Sequence, residues 1–150
     1  MARPTELGHV VLYVRDLGAA TQFYEAVVGL KLIGRIFGGR AAMLSGGRTH
    51  HELLLIEVGA APGPLQGRRL GLYHIGFKVG EGLAALKAAR ERLARANVPV
   101  DGSADHTVSQ SLYVRDPDGN EVELFVDDPR YDWRTRDDWM EAPVKPLRMD

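Results

Sequence analysis

At 150 residues, with 45% apolar and 26% charged residues, the chain has the size and composition of one globular domain, or of two small modules sharing a core. Its net charge of -1 gives no electrostatic reason to bind nucleic acid or an acidic membrane. The absence of cysteine excludes disulfides, thiolate-bound zinc, iron–sulfur clusters and a cysteine nucleophile, so any metal must be held by nitrogen and oxygen. The N-terminal stretch lacks a basic-then-apolar leader, and no apolar run approaches a membrane span; a cytoplasmic location is expected.

In chain order, LGHVVLYV (7–14) predicts a buried strand with His9, Val11 and Tyr13 on one face and Val10, Leu12 and Val14 on the other. Asp16 is placed to cap a helix running to about Val28, with Gly29 at its end. Strands are expected at about 30–37, 41–44 and 49–58, separated by Gly38-Gly39 and Gly46-Gly47 turns. A Pro- and Gly-rich linker, 59–69, follows. The order then repeats: a strand at 70–79, a helix at 81–96, and strands at about 98–101, 109–115 and 121–126. Between the last two, Pro117-Asp118-Gly119 predicts a tight hairpin turn. The tail, 127–150, is charged and Pro-interrupted yet carries both Trp133 and Trp139, so a strap packed over the sheet or a neighbouring chain is favoured over a loose end.

Strand–helix–three strands, twice, is a duplication of about 65 residues. The expected fold is α+β: one domain of two βαβββ modules, 7–58 and 70–126, forming a curved mixed sheet around a metal cleft with the helices outside. Laying GHVVLYV over YHIGFKV makes His9 and His74 equivalent. The last strand carries Glu121 and Glu123 on one face and Val122, Leu124 and Val126 on the other. An inward-facing carboxylate needs a cation, donors or solvent. One histidine in an apolar strand is most simply a hydrogen-bonded core residue. Two at repeat-equivalent positions, with a strand carboxylate beside one of them, read better as a metal set: His9, His74 and Glu123. Two imidazoles and one carboxylate leaving open positions is the arrangement of non-haem Fe(II) oxygenases. Glu121, of the same parity, is left at the mouth or on an exposed edge.

These segments, with RDLGAATQFYEAVVGLKL and YVRDPDGNEVELF, resemble the vicinal oxygen chelate superfamily over about residues 7–126. That superfamily includes glyoxalase I, methylmalonyl-CoA epimerase and the fosfomycin and bleomycin resistance proteins. The resemblance implies the same ligands, His9, His74 and Glu123. RTHHELLL and DHTVSQSLYV further resemble the catalytic half of the type I extradiol catechol dioxygenases. This implies a proton-handling role for His51, and substrate-oxygen hydrogen bonding by His106 and Tyr113; His50 is read as structural or exposed.

The resemblance implies Fe(II), with Mn(II) as the other metal, an aromatic diol and O₂ as substrates, and a homodimer or higher homo-oligomer. Many extradiol enzymes carry an additional N-terminal domain, and this chain is as long as their catalytic half. Two other readings stand beside this one. A glyoxalase I-like lyase or isomerase needs a ligand or base at the position aligned with Leu54, where leucine can do neither; a shift in register would bring Glu52 or Glu57 there. A non-catalytic antibiotic-binding protein has no need of the metal set.

Overall fold

The computed structural model, which describes residues 1–149, contains two mixed sheets built to one plan. The first unit, Met1–Gly63, holds β1 (Val10–Val14), α1 (Leu17–Phe23), β2 (Lys31–Ile36), β3 (Ala41–Ser45) and β4 (Leu53–Glu57), with sheet order β1-β4-β3-β2. The second unit, from Pro64 onward, holds β5 (His74–Glu81), α2 (Gly82–Arg95), β6 (Gly102–Asp105), β7 (Ser109–Arg115) and β8 (Glu121–Asp127), with order β5-β8-β7-β6. In each sheet the first strand runs parallel to the last, and the remaining pairs are antiparallel. The expected α+β fold is present, as two separate four-stranded sheets, neither of them closed. No helix among the described residues is long and apolar enough to cross a membrane.

Two-residue alternation decides which side of each sheet is covered. On β8, Val122, Leu124 and Val126 are fully buried, and α2 packs on β5, β7 and β8 through Leu86, Ala89 and Leu93. Burying one such leucine or valine contributes about 1.5–3 kcal/mol. The odd-numbered positions of β8 are left on the opposite, open face. In β1 the same alternation buries Leu12 and Val14 and leaves Val11 and Tyr13 exposed.

Asp16 caps α1 as expected, its Oδ1 accepting from Ala19 N at 2.8 Å. Glu57 completes the cap from β4, accepting from Leu17 N at 2.8 Å. The helix widens into a π turn over Tyr24–Val28, where the Tyr24 carbonyl accepts from both Gly29 and Leu30. Gly29 closes it at φ 94°.

Four strand starts differ from expectation by three residues or more, the first being β1, which begins at Val10 rather than 7. β4 starts at Leu53 rather than 49, because the backbone of Gly46, Arg48 and Thr49 turns in toward the Glu52 carboxylate. β5 starts at His74 rather than 70, with Gly71 at φ 115° and Leu70 and Leu72 exposed ahead of it. β6 lies at Gly102–Asp105, not 98–101. Asn97 takes a left-handed turn (φ 53°) and Val98 N bonds back to Leu93 O, so the chain needs the following residues to return to the sheet.

Past β8, the Arg130 side chain forks onto Asp128 (Nε–Oδ1 3.0 Å, Nη2–Oδ2 2.8 Å) and its backbone N–H adds a third bond. The guanidinium beside it holds the Asp128 carboxyl at about 2, below the usual carboxylate range. A depressed folded-state pKa stabilises the fold above the unfolded value, near 3.8, and that stabilisation is lost as pH falls toward 2. Urea unfolding of Asp128→Asn against the parent should therefore show a gap that is constant above about pH 5 and closes between about pH 4 and 2. A gap that persists undiminished at pH 2 would assign it to packing instead.

Candidate functional site

The β7–β8 hairpin sets the register of the second unit's site. Asp116, almost fully buried, accepts from Asp118 N (3.0 Å), Asn120 N (2.9 Å) and Asn120 Nδ2 (2.9 Å), and Gly119 turns at φ 91°. The resulting register puts Tyr113 opposite Glu123 and Arg115 opposite Glu121. On the other side of β8, His74 pairs with Glu121 and Gly76 with Glu123. Gly76 is where close approach matters: an added Cβ would come within 3.1 Å of Glu123 Oε2.

A continuous run of polar contacts crosses this open face. Arg115 Nη2 donates to Glu121 Oε2 (3.1 Å), and Glu121 Oε1 faces His74 Nδ1 at 3.2 Å. His74 Nε2 faces Glu123 Oε2, also at 3.2 Å. The other Glu123 oxygen accepts from Ser111 Oγ (2.5 Å) and Tyr113 OH (3.2 Å), and Tyr113 OH meets His106 Nε2 at 2.8 Å.

Both nitrogens of His74 therefore face a carboxylate oxygen, Nδ1 that of Glu121 and Nε2 that of Glu123. Two acceptors at that distance require a proton or a cation between them. Burial, then the Glu123 charge, pushes the Tyr113 phenol up to about 12. Tyr113 therefore stays protonated at neutral pH and acts as a donor. The His74, His106, Tyr113 and Glu123 side chains line a cavity of about 380 Å³.

In the first unit, the His9 and His51 rings lie tilted by 37° with centroids 4.6 Å apart, and the Nδ1 atoms of His50 and His51 are 2.6 Å apart. Burial, then the His50 and His9 imidazoles, push His51 down, which favours a neutral ring able to accept a proton. His9 sits just ahead of β1, in line with Val11 and Tyr13 on the open face. β1 pairs Val11 with Leu54, as β5 pairs Gly76 with Glu123; Leu54 is thus the register counterpart of Glu123. Glu57 faces α1, and Glu52 is engaged by three backbone N–H groups, so neither takes the Leu54 position. Among the described residues, no three His, Asp or Glu side chains gather closely enough to hold an ion. Two of the expected ligands, His74 and Glu123, stand together; His9 belongs to the first unit.

The family model described as the Glyoxalase/Bleomycin resistance protein/Dioxygenase superfamily matches residues 6–124. The chain belongs to this superfamily. Similar members include a catechol-2,3-dioxygenase of Bacillus subtilis (strain 168), 32% identical over 131 residues, and a biphenyl-2,3-diol 1,2-dioxygenase 3 of Rhodococcus globerulus, 34% identical over 127 residues. These matches take in 87% and 81% of this chain but 44% and 63% of the relatives, so the chain spans less than two thirds of the length of either. The solved glyoxylase/bleomycin resistance protein/dioxygenase domain from Frankia sp. EAN1pec shares the fold, with TM-score 0.68 and 24% identity over 89% of this chain and all of that one.

Within the superfamily fold, two site residues escaped the sequence reading. Glu121, assigned to the mouth or an edge, orients His74, and Ser111 braces Glu123. The available signal for Glu121 was its two-residue spacing from Glu123, which puts both on one face, with His74 on the neighbouring strand. Ser111 left no signal, because a buried serine in a strand is unremarkable until its partner is known.

Proposed function

We propose that this chain is an extradiol ring-cleaving dioxygenase acting on a catechol-like aromatic diol. In this reading Fe(II), with Mn(II) as the alternative, would be held by His74 and Glu123, and the family resemblance implies His9 as the third ligand. The observation that carries it is the fixed imidazole: His74 tied at Nδ1 by Glu121 and presenting Nε2 toward Glu123. A metal-bound histidine typically has its other nitrogen held by a carboxylate in this way. Imidazole nitrogen and carboxylate oxygen suit a first-row divalent ion, and the chain has no thiolate to compete. The names of the two dioxygenase relatives supply the substrate class.

When bound, the ion makes the diol hydroxyls more acidic, easing their deprotonation near neutral pH. Tyr113, kept neutral, donates to a substrate oxygen, and His106 fixes the phenol's direction through its 2.8 Å contact. His51, favoured as the free base, takes up and returns a proton. Both atoms of O₂ end in the product, a carbon–carbon bond of the ring next to the diol is broken, and no external reductant is consumed. The product is a ring-opened semialdehyde.

The test is anaerobic purification, quantitation of iron and manganese, and a colour assay with catechol. Stoichiometric iron with a yellow product supports ring cleavage. Nickel or zinc, with activity on a thiol hemithioacetal, would replace this reading by the glyoxalase one, against the presence of Leu54 where a ligand or base is needed. A metal-free protein that binds an antibiotic tightly would overturn both.

A further inference from the structure

The segment after β8 folds back against its own unit and is held at two points, one within the segment itself and one on β6. At the first, Tyr131 is buried; its OH donates to Asp138 Oδ1 (2.5 Å) and accepts from Trp139 N (3.0 Å). Arg136 forks onto Asp138 (3.1 and 2.8 Å), and its guanidinium carbon lies 4.3 Å from the Tyr131 ring centroid. Together these hold the short 3₁₀ turn Asp138–Met140 in place. At the second, Lys145 pairs with Asp105 at the edge of β6 through two backbone hydrogen bonds of 2.9 Å.

Between the anchors, Trp139, Met140, Ala142 and Val144 line the same 380 Å³ cavity whose other wall carries His74, His106, Tyr113 and Glu123. The cavity is therefore two-faced: polar groups able to meet oxygens on the sheet, and four apolar side chains from the tail. Met140 and Val144 are 64% and 63% exposed, so the tail presents apolar surface beyond what its own packing needs.

We propose that residues 139–144 form the specificity wall of this cavity, receiving the hydrocarbon part of an aromatic diol and setting the size of ring substituent accepted. This rests on the ring-cleavage reading for its substrate class, while the wall itself rests on the cavity. A flexible thioether beside an indole adapts to a ring edge of varied outline. Trimming such a pocket by a few carbon atoms changes discrimination by about 10–200-fold per methylene-sized difference.

Trp133 and Trp139 are the only tryptophans, so Trp133→Phe leaves Trp139 as a single reporter. In the metal-loaded Trp133→Phe protein, anaerobic titration with catechol and with biphenyl-2,3-diol should quench fluorescence saturably. Met140→Ala should shift kcat/KM toward the bulkier diol by about tenfold, carried more by KM than by kcat. Met140 is largely exposed, so this variant should fold, and an unchanged urea midpoint would verify it. Turnover of catechol with silent Trp139 and unchanged preference in Met140→Ala would overturn the wall and leave ring cleavage standing. Saturable quenching by either diol without turnover would support the wall and overturn ring cleavage. Neither quenching nor turnover would overturn both.

Discussion

His74→Ala is expected to leave the protein unable to take up stoichiometric iron and without ring-cleaving activity, while its fold survives. The ring is partly exposed, 27%, which keeps the packing penalty small, and the loss falls on the nitrogen aimed at Glu123. Glu121→Gln is the finer probe. Glutamine can still accept from Nδ1–H, but it lacks the charge that strengthens that bond and engages Arg115. Iron affinity should fall about 10–100-fold, as is usual when a ligand's outer partner is altered. His51→Ala should retain iron and slow turnover by about 10²–10⁴-fold, the range of a lost general base. Metal content by elemental analysis, read against kcat, checks all three. Equal metal loss in His74→Ala and His51→Ala would show the roles to be wrongly divided, and full iron in His74→Ala would remove the metal set altogether.

Glu52→Ala is expected to cost about 2–3 kcal/mol, the scale of hydrogen bonds to a charged group. The carboxylate accepts from Gly46 N (2.8 Å), Arg48 N (3.0 Å) and Thr49 N (3.3 Å), gathering the loop that leads into His50 and His51. Burial alone pushes Glu52 up, but these N–H donors outweigh it and hold the carboxyl below its ordinary value. Because that loop ends at His51, the variant should also lose turnover while keeping its iron. Urea unfolding gives the stability change. Amide exchange over 46–51 gives the local one, and it is expected to quicken there before the rest of the sheet. Unchanged exchange in that loop would count against Glu52 as its organiser.

The loop also shows why strand boundaries were harder to read than strands. Polar Thr49–Glu52 leads directly into apolar Leu53–Ile56 with no Gly or Pro between them, and nothing local announces that Glu52 will draw in three backbone N–H groups. Those groups come from residues three to six positions earlier in the chain, and the bonds form only once the turn closes. The same holds for β6, displaced because Asn97 adopts a left-handed cap and delays the chain's return. By contrast Asp16, Gly29 and the 117–119 turn were legible, since each acts on residues within one turn of itself.

Period-two alternation was enough to give the faces of β1 and β8, and the repeat was enough to match His9 with His74; both are properties of chain order and local geometry. The duplicated α+β plan followed from the same signals. Tertiary structure alone decided which Glu121 oxygen meets His74, that Ser111 and Tyr113 share one oxygen of Glu123, and that Trp139 lines the cavity beside them. These are contacts between side chains on different strands, or between a strand and a tail that returns to it. Their ångström-scale distances depend on sheet register and on two anchors far apart in the chain, neither of which local periodicity encodes.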